Sequence, residues 1–82
     1  MSDEQVRTTV AEILAEVADL DPTEVRMDSA FGTDLDVDSL LMVEILVAIE
    51  ERFGIRIPEE NARDVKTVAD LVAQVQALRV PA

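Results

Sequence analysis

The chain contains no cysteine and no histidine, only two aromatic residues (Phe31 and Phe53), only two glycines (Gly32 and Gly54) and a single lysine, Lys66. Without cysteine there is no disulfide staple, no thiolate metal site and no cysteine nucleophile. Without histidine the commonest general base and the commonest metal ligand are both missing, which argues against self-contained acid–base or zinc chemistry. Positive charge is scarce as well. Eighteen acids against seven bases leave a net charge of -11, so nucleic acid and anionic membrane are repelled and partners with basic surfaces are favoured. The segment "MSDEQVR" has no apolar stretch after a basic one, and a cytoplasmic location is the expectation.

What is present is aliphatic. Hydrophobic residues make up 49% of 82 residues, enough for one modest core, and no repeat or Pro/Gly/Ser-rich linker divides the chain. A single domain over residues 1–82 is expected. Ser2 and Gln5 have capping-box spacing, and Val6, Val10, Ile13, Leu14, Val17 and Leu20 form one apolar stripe, so a first helix is expected to run up to Asp21-Pro22. Residues 21–38 read as a long connection anchored by Val25, Phe31 and Leu35, with Gly32 as its flexible turn.

A second helix starts at or beside Ser39, with Asp38 as N-cap, and ends at Phe53 before a left-handed Gly54. Met42, Ile45, Leu46, Ile49 and Phe53 follow helical spacing toward a core. Leu40, Val43 and Val47 form a second apolar stripe that shares its side with Glu44, Glu50 and Glu51. Burial on every side does not account for glutamates within that stripe, whereas a partner-binding face does. "IRIPEENARDV" reads as a strand-like step and a helix of about two turns with Pro58 at its first position. A last helix opens at Thr67, with Asp70 three residues on, presents Val68, Leu71, Val72, Val75 and Leu78, and is closed by Pro81. The fold class predicted is all-α: a small four-helix bundle of three main helices plus one short helix, with a long loop between the first two.

Asp34, Asp36 and Asp38 match the opening of an EF-hand loop, but the match stops there. The sixth position, which needs glycine, is Ser39, and the twelfth, which needs glutamate, is Ile45. No dedicated metal site is expected, only loose attraction of divalent cations. Ser39 is not a self-activated nucleophile either, since no base stands near it in sequence and the acids beside it oppose charge on its oxygen. It is a helix-start residue, or an acceptor on which another enzyme acts.

The longer stretch "DLDVDSLLMVEILVAIEERFGIRIP" resembles the acyl carrier protein family. The motif residues are Asp38-Ser39-Leu40, Glu44, Glu50-Glu51-Arg52-Phe53 and Ile57-Pro58, and the likeness extends through "KTVADL". The resemblance implies a non-catalytic carrier whose Ser39 bears 4'-phosphopantetheine, attached by a phosphopantetheinyl transferase. It also implies acyl thioesters delivered to a ketosynthase and other enzymes of fatty acid or polyketide synthesis. Asp36, Asp38, Leu40, Val43, Glu44, Val47, Glu50 and Glu51 would then be the residues that basic docking patches recognise. The carrier would be a monomer, and Met42, Ile45, Ile49, Ala62, Val65 and Leu71 would line the space in which family members shelter the acyl chain. One departure is Asp36, where many relatives have glycine. The rival reading is an unmodified acidic adaptor that binds a basic protein.

Overall fold

The computed structural model describes residues 2–79. Four helices follow one another: α1 (Asp3–Val17), α2 (Ser39–Phe53), the single turn α3 (Glu59–Ala62) and α4 (Val68–Leu78), with one 3-10 turn at Pro22–Glu24 in the loop between α1 and α2. Among the described residues there is no strand, only one isolated antiparallel bridge between Ala30 and Thr67. The expected small all-α bundle is therefore observed. Pro81 lies outside the described residues.

The helix starts follow from side chains that replace missing backbone partners. Ser2 Oγ accepts from the Gln5 N–H at 3.2 Å, and Gln5 Oε1 accepts from the Ser2 N–H at 2.8 Å. Asp3 and Glu4 then place negative charge against the positive end of the α1 dipole. Thr67 and Asp70 form the same reciprocal box on α4, where Asp70 Oδ2 accepts from both Lys66 N–H (3.0 Å) and Thr67 N–H (3.1 Å). These two backbone bonds hold the Asp70 carboxyl below the ordinary aspartate range, as the Thr23 backbone and hydroxyl donors do for Asp21.

α1 ends about one turn before the expected stop at Asp21-Pro22. Asp19 takes a left-handed conformation (φ 55), and the Leu20 N–H reaches back to the Ala15 carbonyl at 3.0 Å. This is a Schellman closure with aspartate where glycine is usual. Leu20 still reaches the core, but from the loop side of that closure. α2 closes in the same way at the expected Gly54 (φ 66), with the Ile55 N–H on the Glu50 carbonyl at 3.1 Å.

The segment after α2 differs most from expectation. Ile55 to Ile57 forms no strand, because the Ile57 N–H is taken by the Glu50 carboxylate at 2.7 Å instead of by a neighbouring chain. α3 has one turn and not two, and Pro58 sits at its N-cap, not at its first position. The chain leaves α3 early because Val65 must enter the core and Lys66-Thr67 must meet the loop. The exposed Arg63–Glu59 pair on this turn (3.5 Å) adds little stability.

The core is almost wholly aliphatic. Val6, Val10 and Leu14 from α1, Ile45 and Ile49 from α2, and Leu71 and Val75 from α4 are fully enclosed, with α1 packed against both α2 and α4. The loop contributes Phe31, Leu35 and Val37 as buried anchors, and Val25 is half-buried. Val37 was not among the expected anchors.

Asp70→Ala is expected to lower stability at neutral pH by about 1 kcal/mol, the usual worth of a lost cap. Because the folded carboxyl titrates below its unfolded value, its contribution is complete above the ordinary aspartate pKa and disappears as pH falls through the depressed one. The gap between wild type and variant in denaturant melts therefore narrows below about pH 4. A gap that stays constant with pH would contradict this role for Asp70.

Candidate functional site

The site is built where the long loop crosses the beginning of α4. The Ala69 N–H donates to the Met27 carbonyl at 2.8 Å, the Val68 N–H donates to the Ser29 carbonyl at 3.0 Å, and the Phe31 N–H returns a bond to the Lys66 carbonyl at 3.0 Å. With Asp70 N–H held by Thr67 Oγ1 at 3.2 Å, the first three amides of α4 are all engaged. That helix start is closed by the protein itself.

From this crossing the loop makes a tight turn. Asp34 Oδ2 accepts from the Ala30 N–H at 2.8 Å, and the N–H groups of Asp34 and Leu35 both donate to the Ala30 carbonyl. Leu35 and Val37 point inward while Asp36 and Asp38 stay exposed. Gly32 lies within the turn over residues 31–34, as expected, though without a left-handed backbone; the left-handed conformation falls instead at Asp36 (φ 54). The departure noted at position 36 thus has a backbone explanation: a site where glycine costs nothing is held here by aspartate, one of the residues that best tolerates that conformation.

Asp38 caps α2 as expected, its Oδ1 accepting from the Leu41 N–H at 2.8 Å. Ser39 is the first helical residue. It is exposed, and among the described residues no hydrogen bond holds its hydroxyl. The amides of Ser39 and Leu40 are the ones a helix start leaves without intrahelical partners, so α2 presents an open, positive end directly at this hydroxyl. Beside it lies a surface cleft of about 390 Å³ lined by Ala30, Phe31, Gly32, Thr33, Val37, Asp38, Ser39, Met42, Val65 and Lys66. Met42 and Val65 of the expected inner stripe line this cleft, whereas Ile45, Ile49 and Leu71 lie in the closed core.

The second stripe of α2 faces solvent. Leu40, Val43 and Val47 are 71%, 56% and 46% exposed. With the exposed Glu44 and Glu51 they fall within an arc of roughly 100°, opposite Ile49. Glu50 differs from the other two glutamates. It is half-buried, and its carboxylate holds the Ile57 amide. Asp34 and Asp38 are likewise each bonded to a backbone amide, and among the described residues no group of three acids is placed to hold a metal ion. Lys66, at the cleft, was not singled out by sequence reasoning; it is the one lysine, but its nearness to Ser39 is created by the loop crossing.

The geometry is that of a small helical bundle with an exposed hydroxyl at an open helix start, and similarity to known proteins supplies the family. Residues 8–75 match the family model described as phosphopantetheine attachment site. An acyl carrier protein of Acidothermus cellulolyticus is 45% identical over 82 residues, covering all of this chain and 98% of the relative. Meromycolate extension acyl carrier proteins are also similar. That of Mycolicibacterium smegmatis is 44% identical over 75 residues (92% of this chain, 76% of the relative), and that of Mycobacterium tuberculosis 41% over 78 residues (95% and 68%). The chain belongs to the acyl carrier protein family, in which 4'-phosphopantetheine is attached covalently and bears acyl groups. It is a carrier and not a catalyst, and it works with a phosphopantetheinyl transferase and enzymes of fatty acid synthesis. No helix among the described residues is long and apolar enough to cross a membrane.

Substitution at position 36 tests the reading of the loop. Asp36→Gly is expected to leave the melting temperature unchanged or slightly raised, since relief of the left-handed backbone offsets the added freedom of the unfolded chain. Asp36→Val places a β-branched residue in the same conformation and loses about 1–2 kcal/mol. Equal melting of the two variants would contradict the assigned backbone.

Proposed function

We propose that residues 1–82 act as a single acyl carrier domain in which Ser39 is the attachment point of the arm, working in the cytoplasm as a monomer. The observation that carries this is the exposure of the Ser39 hydroxyl at the open start of α2. The residues suit the group. A phosphodiester at this oxygen lies next to the unpaired amides of Ser39 and Leu40, whose partial positive charge offsets repulsion from Asp36 and Asp38. When bound, phosphopantetheine supplies the thiol that a cysteine-free chain lacks, and acyl groups ride on it as thioesters.

Loading is the work of a separate enzyme: the chain has no histidine, and the carboxylates beside Ser39 oppose the charge that would develop on its oxygen. In that reaction the Ser39 oxygen forms a bond to the pantetheine-side phosphorus of coenzyme A, the pyrophosphate bond breaks, and adenosine bisphosphate leaves. The hydroxyl proton passes to the transferase.

Leu40, Val43 and Val47 offer apolar contact to the transferase and to a ketosynthase or other synthase enzymes of fatty acid or polyketide assembly, and Glu44 and Glu51 offer charge to their basic patches. Asp36 and Asp38 extend the same negative field to the edge of the site. Glu50 contributes to that field while it remains tied to Ile57. Charge attraction of this kind speeds encounter and leaves complexes weak enough to part, as a shuttle requires. The names of the mycobacterial relatives support a part in acyl-chain extension.

Intact mass after incubation with coenzyme A and a permissive transferase tests the proposal. Wild type is expected to gain one phosphopantetheine and Ser39→Ala none, whereas an unmodified adaptor gains nothing in either form. In the same assay Glu44→Lys and Glu51→Lys should load about tenfold more slowly at low salt with unchanged melting. Normal loading of both would remove them from the docking face.

A further inference from the structure

We propose that Lys66, which lines the same cleft as Ser39, is a positioning residue for the arm: its ammonium turns to pair with the phosphodiester and draws the root of the arm over the cleft instead of out into solvent. The inference rests on the attachment at Ser39 proposed above and concerns what this chain does with the group once it is there.

Charge is the first support. From Asp28 to Glu51 the sequence has seven acids and no basic residue, so the surroundings of Ser39 have no local counter-charge of their own. Asp38 and Lys66 are the two charged residues that line the cleft. A phosphodiester on Ser39 adds a further negative charge, and without Lys66 the cleft would hold two anions and no cation. Arg63, three residues before Lys66, is engaged with Glu59 at 3.5 Å.

Geometry is the second. The backbone of Lys66 is clamped on both sides, its N–H donating to Asp70 Oδ2 at 3.0 Å and its carbonyl accepting from the Phe31 N–H at 3.0 Å. Its side chain is exposed, and Nζ makes only a long bond, 3.4 Å, to the Arg63 carbonyl. Asp70, which attracts Lys66 through space, already has Oδ2 occupied by two backbone amides. A fixed root with a loosely held ammonium is the arrangement of a residue that can turn toward an incoming anion. The same hydrogen bonds that join the loop to α4 bring it to the cleft.

Because Lys66 is the only lysine, its ammonium gives a single side-chain resonance in a nitrogen-15-labelled chain. The full chain is loaded with phosphopantetheine, loading is verified by intact mass, and the Lys66 Nζ and phosphorus-31 resonances are recorded. On loading, the Nζ resonance is expected to move, and that displacement to shrink about two- to threefold between about 20 mM and about 500 mM salt. Lys66→Gln, which leaves both backbone bonds in place, should load, melt normally, displace the phosphorus resonance and make the arm more mobile. Lys66→Arg should keep the phosphorus resonance near its wild-type position.

An Nζ resonance identical in the apo and loaded chains, or a phosphorus resonance indifferent to Lys66→Gln, overturns the inference while attachment at Ser39 stands. A wild-type chain that takes up no phosphopantetheine overturns both, and the mass measurement separates the two cases.

Discussion

The site depends on hydrogen bonds that cross from the start of α4 to the loop between α1 and α2. Val68 and Ala69 donate to Ser29 and Met27, and Phe31 donates back to Lys66. Each such bond is worth about 1 kcal/mol net, and the burial of Phe31 that they make possible adds about 2 kcal/mol. The consequence reaches beyond stability. Of the two main helix starts near the cleft, that of α4 is filled by the chain's own carbonyls, while that of α2 keeps its first amides open beside Ser39. In the proposed reading, this distinction decides where an anionic group is accepted.

The same crossing sets the limits within which the loop can be acidic. Asp34 and Asp38 are tied to backbone amides, so part of the negative charge stabilises the turn that carries it. Asp36 takes the left-handed conformation that reverses the chain between two buried residues, Leu35 and Val37. Glu44 and Glu51 stand on the outer face of α2 among exposed Leu40, Val43 and Val47. An acyl carrier must be found quickly by several enzymes and released by each, and a charged rim around a small apolar stripe suits both needs. The aliphatic interior stays separate from that face, so the outer residues of α2 are free of the packing.

Features set by neighbours in sequence were legible in it. The Asp38 cap, the Gly54 exit, the Ser2 and Thr67 boxes and the two faces of α2 each depend on residues within one or two turns, and all are found in the structure. The misses have non-local or compensated causes. Asp19 closes α1 in the conformation usually left to glycine, so the stripe through Leu20 looked like one more turn of helix. α3 is cut short by Lys66 and Thr67, which pair with Phe31 and Ala30, more than thirty positions back in the loop. The bond from the Ile57 amide to Glu50 was not legible, because nothing near Glu50 in sequence shows that this amide needs an acceptor. Lys66 is far from Ser39 along the chain, and only the loop crossing brings them to one cleft.

Native-state hydrogen exchange of the helix-start amides tests the central claim most directly. The first amides of a helix ordinarily exchange fast for want of partners. Here Val68 and Ala69 are predicted to exchange only with global unfolding, as slowly as the amides of Ile49 and Leu71, while Ser39 and Leu40 exchange rapidly. Val68 and Ala69 amides at least about 100-fold faster than the core, or Ser39 and Leu40 amides equally protected, would contradict an account in which one helix start is closed by the loop and the other is left open for the prosthetic arm.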